Sequence, residues 1–156
     1  MKIHGSGENR GQGASFHEDY LPYLVSRASF LILADFHAVL KPFRMPVQTW
    51  RVLAALSGGR RLPIGQLARI TLSQQPTLSK LVDRLAAQGL VRRMDSEADG
   101  RRSLVVLTPK GERRIAPVLL AAQAHEVQFL AGFSASEVAA FKRLLRRFSG
   151  RLEAAS

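Results

Sequence analysis

The residues of this chain best suited to chemistry are small polar groups and cations crowded between Leu72 and Arg102. Gln74, Gln75, Pro76, Thr77, Ser79, Lys80 and Arg84 share one short segment, and Arg101 and Arg102 stand side by side near its end. Their chemistry is recognition rather than bond-making. A lysine can donate to O6 and N7 of guanine, while a proline ring or a threonine methyl can meet a thymine methyl. Glutamine and serine reach bases or phosphates, and arginine pairs with phosphate. Catalytic patterns are missing. The histidines at 4, 17, 37 and 125 fall in no metal-ligand spacing, no glycine-rich loop follows a strand, and no Gly-x-Ser-x-Gly elbow occurs. With no cysteine there is no disulfide, thiolate-bound metal or thiol switch. The sequence therefore leads us to expect no catalytic residue, no metal site, no cofactor and no enzyme.

The charge points the same way. Lys and Arg number 23 against 12 Asp and Glu, a formal charge of +11. Between Arg60 and Arg114 twelve cations face five acids, so much of the surplus falls on the segment just described. Such a balance favours a polyanion, either nucleic acid or an anionic membrane surface. Most of the cations are arginine, which grips phosphate and guanine edges with two donors at once. A GC-rich genome, which favours Arg and Ala, accounts for part of that excess, but not for the imbalance of sign.

Two elements must position these groups. Ser73 as N-cap, Pro76 in the first turn and Gly89 at the far end delimit a helix. Leu78, Leu81, Val82 and Leu85 fall on its inner face, with Pro76, Ser79, Lys80 and Asp83 opposite. Two β-prone runs follow, Leu90 to Met94 and Ser103 to Leu107, joined by a polar tip that contains Gly100 and the paired arginines. Upstream, Ile64 to Ile70 reads as a short helix led in by Pro63, and Thr71-Leu72-Ser73 as the turn between the two helices. Helix, turn, helix and hairpin make the outline of a winged helix-turn-helix.

Here a family resemblance enters. Asp99-Gly100-Arg101 followed by Leu107-Thr108 and Gly111 resembles the wing signature of the MarR family of bacterial transcription regulators. The run from Gln75 to Leu85, with Gly89-Leu90-Val91, resembles that family's recognition helix and its exit. The resemblance implies a dimeric regulator of double-stranded DNA, a repressor, whose terminal helices intertwine with those of a second copy. It implies that Arg101 enters a minor groove, with Asp99 orienting it. Arg102 and Arg84 are the expected phosphate contacts. A two-fold dimer sets its reading helices roughly 34–36 Å apart, so the expected operator is an inverted repeat. The family also implies a small, often aromatic anion that releases DNA, for which Arg27, Phe30, His37, Met45, Trp50, Arg51 and His125 are the candidate contacts. Phe30 and Trp50 read first as core, and His37 and His125 as hydrogen-bonded structural histidines. A ligand-independent architectural DNA binder shares the basic head and stands as the alternative.

The rest of the chain is read as support. Its 156 residues suffice for one self-sustaining core. Residues 1–15 are expected to be a flexible arm and no signal peptide, 47–108 the DNA-binding lobe, and 16–46 with 109–156 the helical dimerisation region. A first helix is predicted from His17 to Leu40, a second from Pro46 to Leu56, and a third begins after the wing with Thr108 as N-cap, runs to about Ala131 and kinks at Pro117. Ser134 and Glu137 form a capping box before a last helix striped with Val138, Phe141, Leu144, Leu145, Phe148 and Leu152. The longest apolar run, Phe30 to Ala34, is too short for a bilayer, so a cytoplasmic protein without membrane contact is expected. The fold class is mainly α with a small β-wing.

Overall fold

A computed structural model describes residues 16–95 and 103–154; the expected arm, the wing tip with Asp99, Arg101 and Arg102, and the last two residues lie outside them. The chain divides into two compact units, Met1–Asp35 and Phe36–Ser156. In the first, α1 (Phe16–Asp19) gives way to α2 (Leu21–Leu40), which runs on into the second. One continuous helix from His17 was expected. The helix instead restarts after Tyr20, because Pro22 has no N–H to return to the preceding turn and fits only within a first turn. A 3-10 turn, Lys41–Phe43, then ends on Arg44 in the left-handed conformation.

The second unit continues with α3 (Val47–Leu56), β1 (Leu62–Pro63), α4 (Ile64–Ile70), α5 (Gln75–Ala87), β2 (Val91–Asp95), β3 (Ser103–Leu107), α6 (Pro109–Phe129) and α7 (Ala135–Ala154). The sheet is antiparallel in the order β1-β3-β2, with Leu62 opposite Val105 and Val91 opposite Leu107. A two-stranded hairpin was expected. The third strand has only two residues, too few to show any period, and its proline suits an edge.

Leu53, Leu56, Leu67, Leu78, Leu85, Ile115 and Val118 are all but fully buried. In α3, Val52, Leu53, Ala55 and Leu56 are buried and Ala54 is half-exposed. Thr108 caps α6 as expected, its hydroxyl accepting from the Gly111 N–H at 3.0 Å while donating to the Gly89 carbonyl at 2.6 Å. Gly111 has no room for a side chain: a Cβ there would overlap the Leu90 carbonyl oxygen. The expected capping box also forms. The Ser134 N–H and hydroxyl donate to Glu137 Oε2 at 2.7 and 2.6 Å, and the Glu137 N–H returns to Ser134 Oγ.

One expectation fails on length. Leu21–Phe43, 23 residues of mean hydropathy 1.4 in their best window, is long and apolar enough to cross a membrane. Counting unbroken apolar residues missed it, because Arg27 and Asp35 interrupt the run without making the helix polar. A helix meant to be covered by another protein chain passes the same test as one covered by lipid.

Two outcomes test this packing. Gly111→Ala should destabilise the fold by about 1–3 kcal/mol through overpacking, read by urea denaturation; a wild-type midpoint would mean the backbone opens freely there. The hydrogen bonds from the Ser134 hydroxyl, then from its N–H, lower the Glu137 pKa from its ordinary 4.5. Its contribution is therefore complete above the ordinary carboxylate range and lost as pH falls through the lowered value. Glu137→Gln should flatten that part of the acid dependence of stability, and an unchanged profile would remove the box as its source.

Candidate nucleic-acid interface

The turn between α4 and α5 is held from below. The Thr71 hydroxyl, buried, donates to the Leu67 carbonyl at 2.8 Å, and the Ser73 N–H reaches the Ala68 carbonyl at 2.9 Å. Ser73 was expected to cap α5. Gln74 is the N-cap instead and makes no side-chain cap bond. The Ser73 hydroxyl lies 3.2 Å from the Thr71 carbonyl and 3.3 Å from Gln48 Oε1, so it serves the turn. The Gln74 side chain therefore leaves the N–H groups opening α5 uncapped, and such a helix end attracts anionic oxygen.

Leu78, Val82 and Leu85 bury the inner face of α5, with Leu81 half-buried, as their spacing indicated. Gln74, Gln75, Pro76, Thr77, Lys80 and Arg84 are exposed, and Ser79 is half-buried. The exit is tied down as well. Gly89 takes the left-handed conformation that ends a helix, and Lys110 Nζ donates to the Gln88 carbonyl at 2.7 Å.

One residue of this face was missed. Arg93 on β2 donates to Asp83 Oδ1 at 2.8 Å and to Ser79 Oγ at 3.2 Å, bracing the outer side of α5 from the root of the wing. It also offsets the one acid of α5. Sequence spacing could not pair two residues on different elements, and an arginine beside another arginine reads simply as basic surface.

The candidate ligand residues are dispersed. Trp50 and His125 belong to a ring cluster with Phe36 and Phe129, at centroid separations of 5.2 Å for Phe36–Trp50, 5.4 Å for Phe36–His125 and 5.3 Å for His125–Phe129. Met45 is buried and lines a cavity beside α5. Arg51 is half-exposed and His37 exposed. Arg27 and Phe30 lie in the first unit, where both are exposed.

A helix-turn-helix braced by a three-stranded wing defines the class: a winged-helix DNA-binding protein. The MarR family profile matches residues 45–102. A MarR family transcriptional regulator of Silicibacter pomeroyi DSS-3 is 31% identical, with 89% of this chain and 99% of that one covered and a TM-score of 0.76. The uncharacterised helix-turn-helix regulator YwoH of Bacillus subtilis is 27% identical over 86% of this chain and 97% of its own. BpsR of Bordetella bronchiseptica, whose DNA binding is regulated by 6-hydroxynicotinic acid, is 25% identical, with 88% and 98% covered and a TM-score of 0.73. The chain belongs to the MarR family of DNA-binding transcriptional regulators.

The brace makes a separable prediction. The Arg93 side chain is 35% exposed and that of Asp83 64%, so Arg93→Ala should cost stability no more than about 1 kcal/mol. DNA affinity should fall about tenfold, or about 1.4 kcal/mol, because Asp83 is left uncompensated before the phosphates. Adding Asp83→Asn should restore most of that loss in an anisotropy titration. A double variant as weak as Arg93→Ala would show that Arg93 touches DNA itself.

Proposed function

We propose that this regulator binds an inverted-repeat operator as a homodimer, represses the genes beside it, and lets go when a small anionic ligand binds. The observation that carries the DNA reading is the exposed face of α5, uncapped at its N-terminus and presenting Gln75, Pro76, Thr77 and Lys80 on a braced, apolar-backed helix. Lys80 is the base reader in this proposal, and Pro76 and Thr77 meet thymine methyls. Arg84 and Arg102 hold phosphates, Arg101 enters the minor groove, and Asp99 orients it. Gln74 and Ser79 complete the contact set near the helix start.

Exposed apolar surface supports the dimer. On α7, Phe141, Leu144, Phe148 and Leu152 are all more than 45% exposed. Along α2, Leu24, Val25, Phe30 and Leu31 are exposed as well. Contiguous apolar surface of this kind marks an interface. In this reading residues 16–46 and 109–156 supply the dimer contacts, 47–108 read DNA, and the protein works in the cytoplasm. The dependence of BpsR on 6-hydroxynicotinic acid supports release by a ligand of similar chemistry.

Anisotropy titrations of DNA from the gene's own upstream region, beside a scrambled duplex and across salt concentrations, test the proposal. Tight binding that prefers the native fragment is expected, with log affinity falling linearly in log salt. Lys80→Ala should cost about 1–3 kcal/mol on the native fragment and much less on the scrambled one. Equal losses on both would remove Lys80 from base reading. Equal wild-type affinity for both duplexes would favour an architectural DNA binder.

A further inference from the structure

Helix α7 carries a second face opposite its apolar stripe. At about 3.6 residues per turn, Phe141, Leu144, Leu145, Phe148 and Leu152 fall on one side and Arg143, Arg146, Arg147 and Arg151 on the other. All four arginines are exposed. Lys142, at the edge of this arc, pairs with Glu126 of α6 at 2.9 Å. Among the described residues, none of the four arginines meets a carboxylate. The acids of α7 stand near its ends, Glu137 tied to Ser134 and Glu153 in the last turn.

Two features set the arc apart from an ordinary solvated face. Arg143, Arg147 and Arg151 follow one another at a spacing of one turn, where like charges destabilise a helix. A surface kept only for solubility mixes the two signs. Gly150 also stands within the arc, beside Arg151 and one turn after Arg146 and Arg147. Nothing lies within 4 Å of where its Cβ would be, so packing does not require a glycine there. Glycine inside a helix is destabilising, and it suits a place where another molecule comes close to the backbone. The arc also lies apart from the reading head. α6 begins against Leu90 at the exit of α5, and Glu126 is roughly 25 Å further along it.

We infer that this arginine arc is a second, sequence-independent contact for duplex DNA, so that a molecule reading one segment through α5 holds another through α7. Guanidinium groups take phosphate oxygens two at a time. The arc presents arginine and little else, so it grips the backbone without reading bases. Lipid phosphate carries similar charge, but a bilayer surface takes the basic and apolar faces of one helix together. In the proposed dimer the apolar stripe goes to a second copy, and the arc is left outside. The inference rests on the DNA-regulator reading for the first segment, but not for the arc.

The test is capture of a second duplex. Biotinylated DNA from the gene's own upstream region, held on beads, fills the heads, and a labelled scrambled duplex is then offered across salt concentrations. One variant combines Arg143→Gln, Arg146→Gln, Arg147→Gln and Arg151→Gln, which keeps helix propensity; a second puts Lys at the same positions. Both are first shown to keep wild-type circular dichroism and oligomeric state. Wild type should capture the scrambled duplex with a slope of about −3 to −4 in log affinity against log salt, from about 0.9 per phosphate met. The Gln variant should capture it about tenfold more weakly or not at all, yet bind the upstream fragment within about twofold of wild type. The Lys variant should keep most of the capture. Capture undiminished in the Gln variant would overturn the inference, by assigning it to the reading heads. An equal loss of upstream-fragment affinity would overturn it as well, by making the arc part of the first contact. No capture by wild type would also overturn it, and sedimentation with phosphatidylserine vesicles that the Gln variant loses would then give the arc to a membrane. A wild type with no preference for the upstream fragment fails the regulator reading. The arc then stands or falls on whether the Gln variant loses affinity for the scrambled duplex.

Discussion

The tight approach of Gly111 to the carbonyl of Leu90, which leaves no room for a Cβ, is the constraint on which the reading head depends. Leu90 is the first residue after the recognition helix has turned at Gly89, and Gly111 lies in the first turn of α6. Bringing these two backbones together fixes where α5 ends, where β2 begins and where α6 starts. Thr108 fastens the same junction, its hydroxyl donating to the carbonyls of Gly89 and Leu90 and accepting from Gly111. Lys110 closes the last turn of α5 through the Gln88 carbonyl. Thr108, Lys110 and Gly111 thus help to aim the helix. The cation count along the sequence had assigned Lys110 to the basic head, and the structure employs it as a helix cap.

Electrostatics then divides the helix into two flanks. On the wing side Arg93 cancels Asp83 and takes Ser79, so that flank is braced and close to neutral. On the other side Arg44, Arg84 and Arg114 surround open space without a counter-charge among the lining residues. The outward face between them carries Pro76 and Lys80. A like-charged cluster beside a helix is unfavourable until an anion meets it. The two flanks therefore differ in kind: one is braced by an ion pair and the other opens onto a cavity lined by three arginines.

What the sequence made legible follows from how local each signal is. Helices α3, α4 and α5 were placed to within a residue or two, because proline entries, glycine exits and apolar spacing act over single turns. The N-cap at Thr108 and the capping box at Ser134 were readable for the same reason. The misses are contacts between separate elements. Ser73 has the right chemistry for an N-cap, yet Thr71 and Gln48 claim its hydroxyl. Strand β1 exists only because β3 offers it an edge. Arg93 meets Asp83 across ten residues, and the Arg44 and Leu72 conformations arise where the chain must bend around a cavity. None of these leaves a periodic trace.

The apolar residues fall into two populations with different physical roles. Leu53, Leu56, Leu67, Leu78, Leu85 and Val118 are sealed within the second unit, and their burial contributes to its stability. The stripe on α7 is as regular in sequence, yet α7 has no buried residue and Phe141 and Leu144 are each 56% exposed. An apolar face left open at that cost in hydration is a surface awaiting another. The membrane-length hydropathy of Leu21–Phe43 obeys the same logic, since length and apolarity state only that a helix is to be covered. The charges decide by what. Arg27 and Asp35 stand inside that stretch, where hydrocarbon penalises both and an aqueous protein seam tolerates them at its rim. In the proposed homodimer a second copy would cover the apolar faces and leave those charges in water, which a bilayer would not.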